Sequence, residues 1–190
     1  MWIFFKTDYS HLPDAALMQA IARRQERAFA ELYGRYSRPI HRYFFRMLGR
    51  DVARADDFTQ ELFLKIIEKP HLYDPARPFR TWLYALAANM CKNEYRRKKP
   101  ADAGWPAVND TETPGPGLPE QLDRELFETS LRLAIDTLGD THRQCFVLRY
   151  QEELSVAEIA AILQCPEGTV KSRLHYALQK ISERLTVFKD

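Results

Sequence analysis

Asn89 and Asn93 stand one helical turn apart, and Lys92, Arg96, Arg97, Lys98 and Lys99 lie between and just beyond them. A carboxamide both donates to and accepts from a base edge. Cations hold phosphates, and the nearby rings of Trp82, Tyr84 and Tyr95 are of the kind on which unpaired bases stack. The chemistry on offer is recognition of single-stranded nucleic acid. A helix dipole favours cations at a C-terminus, but five in so short a run exceed that need. Trp82 taken alone is expected in the core.

A second cluster precedes it. Asp56, Asp57, Gln60 and Glu61 fall together on one side of a helical pattern whose inner stripe is Phe58, Leu62 and Ile66. Read without cations to pair them at the next turn, they are left for a partner that carries basic groups. A plain solvated face is the alternative. Between the two clusters, the proline-stiffened loop 69–78 offers His71, Tyr73 and Arg77.

A third set lies near the C-terminus. Ser155 and Glu158 form a capping box, followed by an apolar run, a turn at Gln164 and Cys165, and Pro166 at the expected first position of a second helix. Val170, Leu174, Ala177, Leu178 and Ile181 then form an inward stripe. At about 100° per residue, Ser172, His175, Tyr176 and Gln179 face outward with Thr169 beside them, and Lys171 and Arg173 on the flanks. This is a helix-turn-helix pattern, whose second helix suits a DNA major groove. An amphipathic core helix is the plain alternative.

Catalysis is unsupported. His11, His41, His71, His142 and His175 are scattered without metal-ligand spacing, and Cys91, Cys145 and Cys165 form no CxxC. No nucleophile stands with a base. No cofactor or metal is expected, and the chain is read as not an enzyme. The formal charge of +2 does not announce a nucleic-acid binder by itself; the clustering of cations does. Trp2–Phe5 is too short for a signal peptide or a membrane span, so no membrane insertion is expected.

The elements that must position these residues read as helices throughout. Residues 1–12 look like a loosely held tail. Pro13-Asp14 opens a helix, with Asp14 as its cap. A long aromatic-rich pattern from Phe29 to Leu48 follows, where Pro39 predicts a kink or break. After a turn at 49–51 come helices over about 52–68 and from Phe79 onward. Residues 100–120 hold many prolines and glycines and no lysine or arginine, and read as an acidic linker. Two further helices are expected over 122–138 and 140–150, the latter capped near Asp140 or Thr141. The expected fold is all-α, with two small helical domains over 13–99 and 121–190, joined by that linker. The second is a four-helix domain ending in the helix-turn-helix.

The order of parts resembles a family. Asp57-Phe-Thr-Gln-Glu-Leu-Phe63, then Phe79-Arg-Thr-Trp-Leu83 with Asn89 and its basic tail, then an acidic linker, then Gly168-Thr-Val-Lys-Ser-Arg-Leu174 is similar to bacterial RNA polymerase sigma factors of the extracytoplasmic-function (ECF) group. The resemblance spans about 14–185 and implies a sigma subunit that directs promoter-specific initiation. It implies region 2 over 13–99, whose Asp56, Asp57, Gln60, Glu61 and Phe63 would bind the clamp coiled coil of the largest polymerase subunit. His71, Tyr73, Arg77, Arg80, Trp82, Asn89, Lys92, Asn93, Arg96 and Arg97 would recognise and melt the minus-ten element. Region 4 over 121–190 would read the minus-thirty-five element through Thr169, Lys171, Ser172, Arg173, His175 and Tyr176. The linker would run through the polymerase cleft. Family members more often carry arginine at the positions of Tyr176 and Leu178, implying weaker duplex affinity here, and Asp at that of Asn93, implying a different element. The resemblance places the protein in the bacterial cytoplasm, with the nucleoid, and adds an anti-sigma factor, sometimes membrane-held, as an optional partner. A free-standing helix-turn-helix regulator is the alternative.

Overall fold

The computed structural model describes residues 8–98 and 120–185; side chains are described for all of these except 98 and 120–125. Of the predicted linker, residues 100–119 with Trp105 lie outside them, and Glu120, placed at its end, instead begins a helix. The described residues form helices α1 (Asp14–Ala22), α2 (Glu26–Met47), α3 (Val52–Glu68), α4 (Phe79–Lys98), α5 (Glu120–Asp136), α6 (Asp140–Tyr150), α7 (Val156–Leu163) and α8 (Glu167–Arg184), with a short 3-10 turn at Pro70–Leu72. The chain divides into two compact units, Met1–Lys92 and Asn93–Asp190, with the division inside α4.

In the first unit, α2 packs on α1 and α3. Leu32, Ile40, Tyr43, Phe44 and Met47 are its fully buried large residues, recurring at the helical period. Pro39 lies inside α2, yet the helix runs unbroken over 22 residues. The expected break does not occur, because the apolar stripe on both sides of Pro39 is anchored in one core and outweighs one lost hydrogen bond. Tyr84 of α4 is buried edge-on against Tyr43, with 5.6 Å between centroids.

Two expectations about the N-terminal segment are corrected by one side chain. Asp14 is the first residue of α1, and Pro13 is the cap position without a side-chain bond. The Asp14 carboxylate instead accepts from Arg35 Nη1 at 2.9 Å and from the Tyr36 hydroxyl. Arg35 also donates to the carbonyls of Ser10 and Leu12, both at 2.8 Å, and to Glu31 at 2.8 Å. Residues 10–12 are thus tied to α2 by a fork of charge-assisted bonds, not loosely held; residues 1–7 of the predicted tail lie outside the described residues. Burial first, then Asp14, pushes the Tyr36 phenol well above its usual range.

Gly49 and Arg50 both take positive φ, 79° and 60°, and turn the chain between α2 and α3. A glycine suits such a position and an arginine is strained there. Asp51 then caps α3 by accepting from the Arg54 amide at 3.1 Å.

In the second unit, Ala134, Ile135, Leu138, Phe146, Ala177 and Ile181 form a core that draws on α5, α6 and α8. Buried Arg143 donates to the carbonyls of Asp136 at 2.6 Å and Leu138 at 3.0 Å, closing the end of α5. The cap of α6 is Gly139, with no side-chain bond, so neither Asp140 nor Thr141 serves as predicted.

The capping box of α7 is complete: the Glu158 amide donates to Ser155 Oγ at 3.2 Å, and the Ser155 amide donates to Glu158 Oε2 at 2.8 Å. Gln164 closes the helix in the left-handed region at φ 51°. Pro166 is the cap of α8 and Glu167 its first residue, one position later than expected. We expect Ser155→Ala to cost about 1 kcal/mol, lowering the melting temperature of this unit by about 4–8 °C. Calorimetry on the full chain should show the shift confined to one transition.

Candidate functional site

Three surfaces carry the residues singled out above. On α3, Asp56, Asp57, Gln60 and Glu61 are all exposed and share one side. Two of them are paired. Glu61 Oε1 lies 2.6 Å from Lys65 Nζ, one turn on, and Asp56 Oδ1 lies 3.0 Å from His41 Nε2. The sequence pattern leaves this face without such cations, and Lys65 at the next turn corrects that expectation. The pairs are exposed and worth little, so they are readily exchanged for a partner's cations.

Phe63 is buried at 2 % exposure, edge-on to Tyr33 with 4.8 Å between centroids and to Phe29 at 6.2 Å. It packs beneath the helix, against these two rings of α2. Tyr33, at 41 % exposure, stands at the rim. A cavity of about 340 Å³ between α2 and α3 is lined by Tyr33, Arg38, His41 and Arg42 on one wall and Asp56 and Gln60 on the other. The α2 wall was missed in the sequence. Its signal is the recurrence of Arg38 and Arg42 one turn apart on the polar side of α2.

The second surface is on α4 and the loop before it. Asn89, Lys92, Asn93, Arg96 and Arg97 are exposed. At about 100° per residue, Trp82, Leu86, Asn89, Asn93 and Arg96 fall within one narrow stripe, so both carboxamides and a cation face the same way. Arg97 is bound to the buried carboxylate of Glu94 at 2.8 Å. Lys98's side chain and Lys99 lie outside what is described.

The aromatic residues of this surface separate into two groups. Tyr84 is buried and not offered to a base. Tyr73 is buried too; its hydroxyl donates to the Arg77 carbonyl at 2.9 Å, and burial pushes its phenol up. Trp82 is half-buried, with Tyr73 at 5.3 Å and Phe79 at 5.6 Å between centroids. Tyr73 thus shores up one side of Trp82 while the indole keeps an outward edge. His71 and Arg77 are exposed in the loop, Arg77 lying 3.7 Å from Asp74. Half-buried Arg80 lies over the Tyr84 ring at 5.8 Å.

The third surface is the outward face of α8. Lys171, Ser172, His175, Tyr176 and Gln179 are exposed and Thr169 is half-buried. Two residues depart from the sequence reading. Leu178, placed on the inward stripe, is 43 % exposed; the buried set is Val170, Leu174, Ala177 and Ile181. Their spacing of four, three and four follows the helix, and Leu178 lies a full step off it. Arg173, placed on a flank, is half-buried, with Nη1 turned back to Cys165 Sγ at 3.9 Å. Burial pushes the Cys145 thiol up, with the Arg173 charge opposing. Lys171 remains as an outward flank cation.

Taken together, the described residues offer an acidic-and-amide helix face, an amide-and-cation helix face beside a propped indole, and a helix-turn-helix whose second helix is polar on its outward face. None of the described helices is long and apolar enough to cross a membrane.

Comparison with known proteins agrees with this ordering. Residues 32–100 match the family described as Sigma-70 region 2, and residues 134–183 match Sigma-70, region 4. The chain is 34% identical over 179 residues to the ECF RNA polymerase sigma factor SigW of Bacillus subtilis, covering 88% of this chain and 94% of that protein. It is 34% identical over 175 residues to SigL of Mycobacterium tuberculosis, covering 92% and 90%. Among solved structures, CnrH in complex with the cytosolic domain of CnrY aligns with a TM-score of 0.67 at 24% identity, over 91% of this chain and 97% of that one. The sigma factor RpoE with the anti-sigma factor NepR, from Bartonella quintana, aligns with a TM-score of 0.63 at 19% identity, over 84% and 97%. At those identities the two structures speak to the fold.

Proposed function

The chain belongs to the ECF group of RNA polymerase sigma factors, and from that membership we propose how its surfaces divide the work. It is a sigma subunit that directs promoter-specific transcription initiation. Its family is a non-enzymatic one, so the chain contributes binding and DNA distortion while the polymerase supplies the chemistry.

In our reading the domain over 13–99 grips the polymerase and opens DNA, the domain over 121–190 anchors on duplex, and 100–120 joins them. Asp56, Asp57, Gln60 and Glu61 meet basic groups of the clamp in the largest polymerase subunit, with Phe63 fixing the helix from behind. Asn89 and Asn93 read base edges of an opened strand at the minus-ten element, Trp82 stacks at the edge of the same stripe, and Lys92 and Arg96 hold the backbone. His71, Arg77 and Arg80 flank that path, Tyr73 supports Trp82, and Arg97 adds its exposed guanidinium. At the minus-thirty-five element, Thr169, Lys171, Ser172, His175 and Tyr176 meet the groove, while Arg173 braces the turn from within. The observation that carries this reading is the coexistence in one chain of an acidic helix face, an amide-and-cation stripe and a helix-turn-helix. A free-standing regulator has no use for the first two.

Energetics favour such a division. Taking a base out of the stack costs a few kcal/mol, and stacking returns about 1–3 kcal/mol per base. Few phosphate contacts leave the free chain a weak DNA binder at physiological salt. Polymerase raises the effective concentration of each domain at its element. We place the chain in the cytoplasm with the nucleoid. We propose an anti-sigma factor as an inhibitory partner, in keeping with the capture of CnrH with CnrY and of RpoE with NepR.

The upstream assignment is tested by Lys171→Ala in reconstituted holoenzyme. Minus-thirty-five-dependent binding should weaken similarly across element sequences, and the salt slope should fall by about one. An unchanged slope removes Lys171 from the phosphate contacts.

A further inference from the structure

Tyr176 is 44 % exposed on the outward face of α8, yet its ring is held. His142, in the first turn of α6, lies against it with 4.4 Å between ring centroids and 37° between planes. On α8 itself, Lys180 Nζ lies 6.0 Å from the same ring. Lys180 is bound in turn to Glu183 at 3.0 Å, and Glu183 also accepts from Gln179 Nε2 at 3.2 Å. A cavity of about 400 Å³ opens beside this group, lined by Gly139, His142, Tyr176, Lys180, Glu183 and Arg184 among others. An exposed tyrosine is thus fixed from two sides, and one of those supports comes from a different helix.

A tyrosine offers large contact area at low entropic cost because it has two rotatable angles. Fixing it in advance lowers the ordering cost of binding further. Burial first, and Arg173 second, hold the His142 imidazole below its usual proton affinity, so it meets Tyr176 as a neutral ring.

We infer that His142 is a positioning residue for promoter reading: it holds the Tyr176 ring in the pose that meets a base pair of the upstream element, so preference at that pair depends on α6 as well as α8. The inference rests on the proposed assignment of α8 as the upstream reading helix. The ring edge is apolar and suits the thymine methyl group in the major groove.

The test uses holoenzyme reconstituted from core polymerase and the full chain, selected over a promoter library randomised across the upstream element. His142→Ala should reduce preference at one or two adjacent base pairs about three- to tenfold, with the rest of the profile and the polymerase affinity unchanged. Tyr176→Ala should act at the same pairs, and the double variant no further than Tyr176→Ala alone. His142→Phe should keep the preference, whereas His142→Gln, similar in size but without a ring, should lose it. An even loss across the element for His142→Ala, a full additional loss in the double variant, or equal behaviour of the Phe and Gln variants overturns the inference. If Ser172→Ala and Tyr176→Ala both leave the profile unchanged, the reading of α8 fails and takes this with it. If they shift it and the His142 variants do not, the positioning role alone fails.

Discussion

Replacing both Asp57 and Glu61 by lysine is expected to lower affinity for core RNA polymerase by at least about a hundredfold while the fold survives. Removing a charge from a paired interface costs about 2–5 kcal/mol, and reversing two adds repulsion; each 1.4 kcal/mol is tenfold. The fold should tolerate the change because both side chains are exposed. The internal loss is the Glu61–Lys65 pair at 2.6 Å, replaced by like charges one turn apart, a matter of a few tenths of a kcal/mol. Co-purification with tagged polymerase measures the first effect, and thermal melting the second. Polymerase retained at the native level would remove the α3 face from the interface.

The second large effect is expected from Asn89→Ala combined with Asn93→Ala. Each carboxamide that reads a base edge is worth about 1–3 kcal/mol, so the pair should slow open-complex formation about thirtyfold or more. Both side chains are exposed, so the helix should hold, and polymerase affinity should stay because α3 is untouched. Premelted promoter DNA tests the cause. If the asparagines capture opened bases, a mismatch bubble at the minus-ten element restores only the part of the rate that opening had cost, and base discrimination stays lost. Full discrimination on premelted DNA would refute their reading role.

Much of this fold is legible in residue order because the strongest signals are local. The Ser155–Glu158 box marks its helix start by itself, and the stripe at Val170, Leu174, Ala177 and Ile181 follows from helical spacing alone. Where the reading went astray, distant partners decided. Asp14 looks like a cap until Arg35, 21 residues on, claims its carboxylate. Pro39 looks like a break until a single core holds both sides of α2. Tyr84 looks like a stacking ring, and Tyr73 like an offered loop residue, until Tyr43 and Phe79 are seen against them. Arg173 looks like a flank cation until its guanidinium is seen turned back to Cys165. Lys65 is a different kind of miss, since its pairing with Glu61 was local and available from the spacing. His142 lay beyond reach, because only the packing of α6 on α8 brings it to Tyr176.

We propose that one part of the chain opens DNA while another holds duplex upstream. Footprinting of holoenzyme on one promoter tests it, with nuclease protection reporting the upstream contact and permanganate reactivity of thymines reporting the melted strand. The native chain should give both signals. Asn89→Ala with Asn93→Ala should lose the permanganate signal and keep upstream protection, and Lys171→Ala should weaken upstream protection and leave a consensus minus-ten element able to open. Loss of both signals together in each variant, or a melted strand untouched by the asparagine changes, would contradict the account.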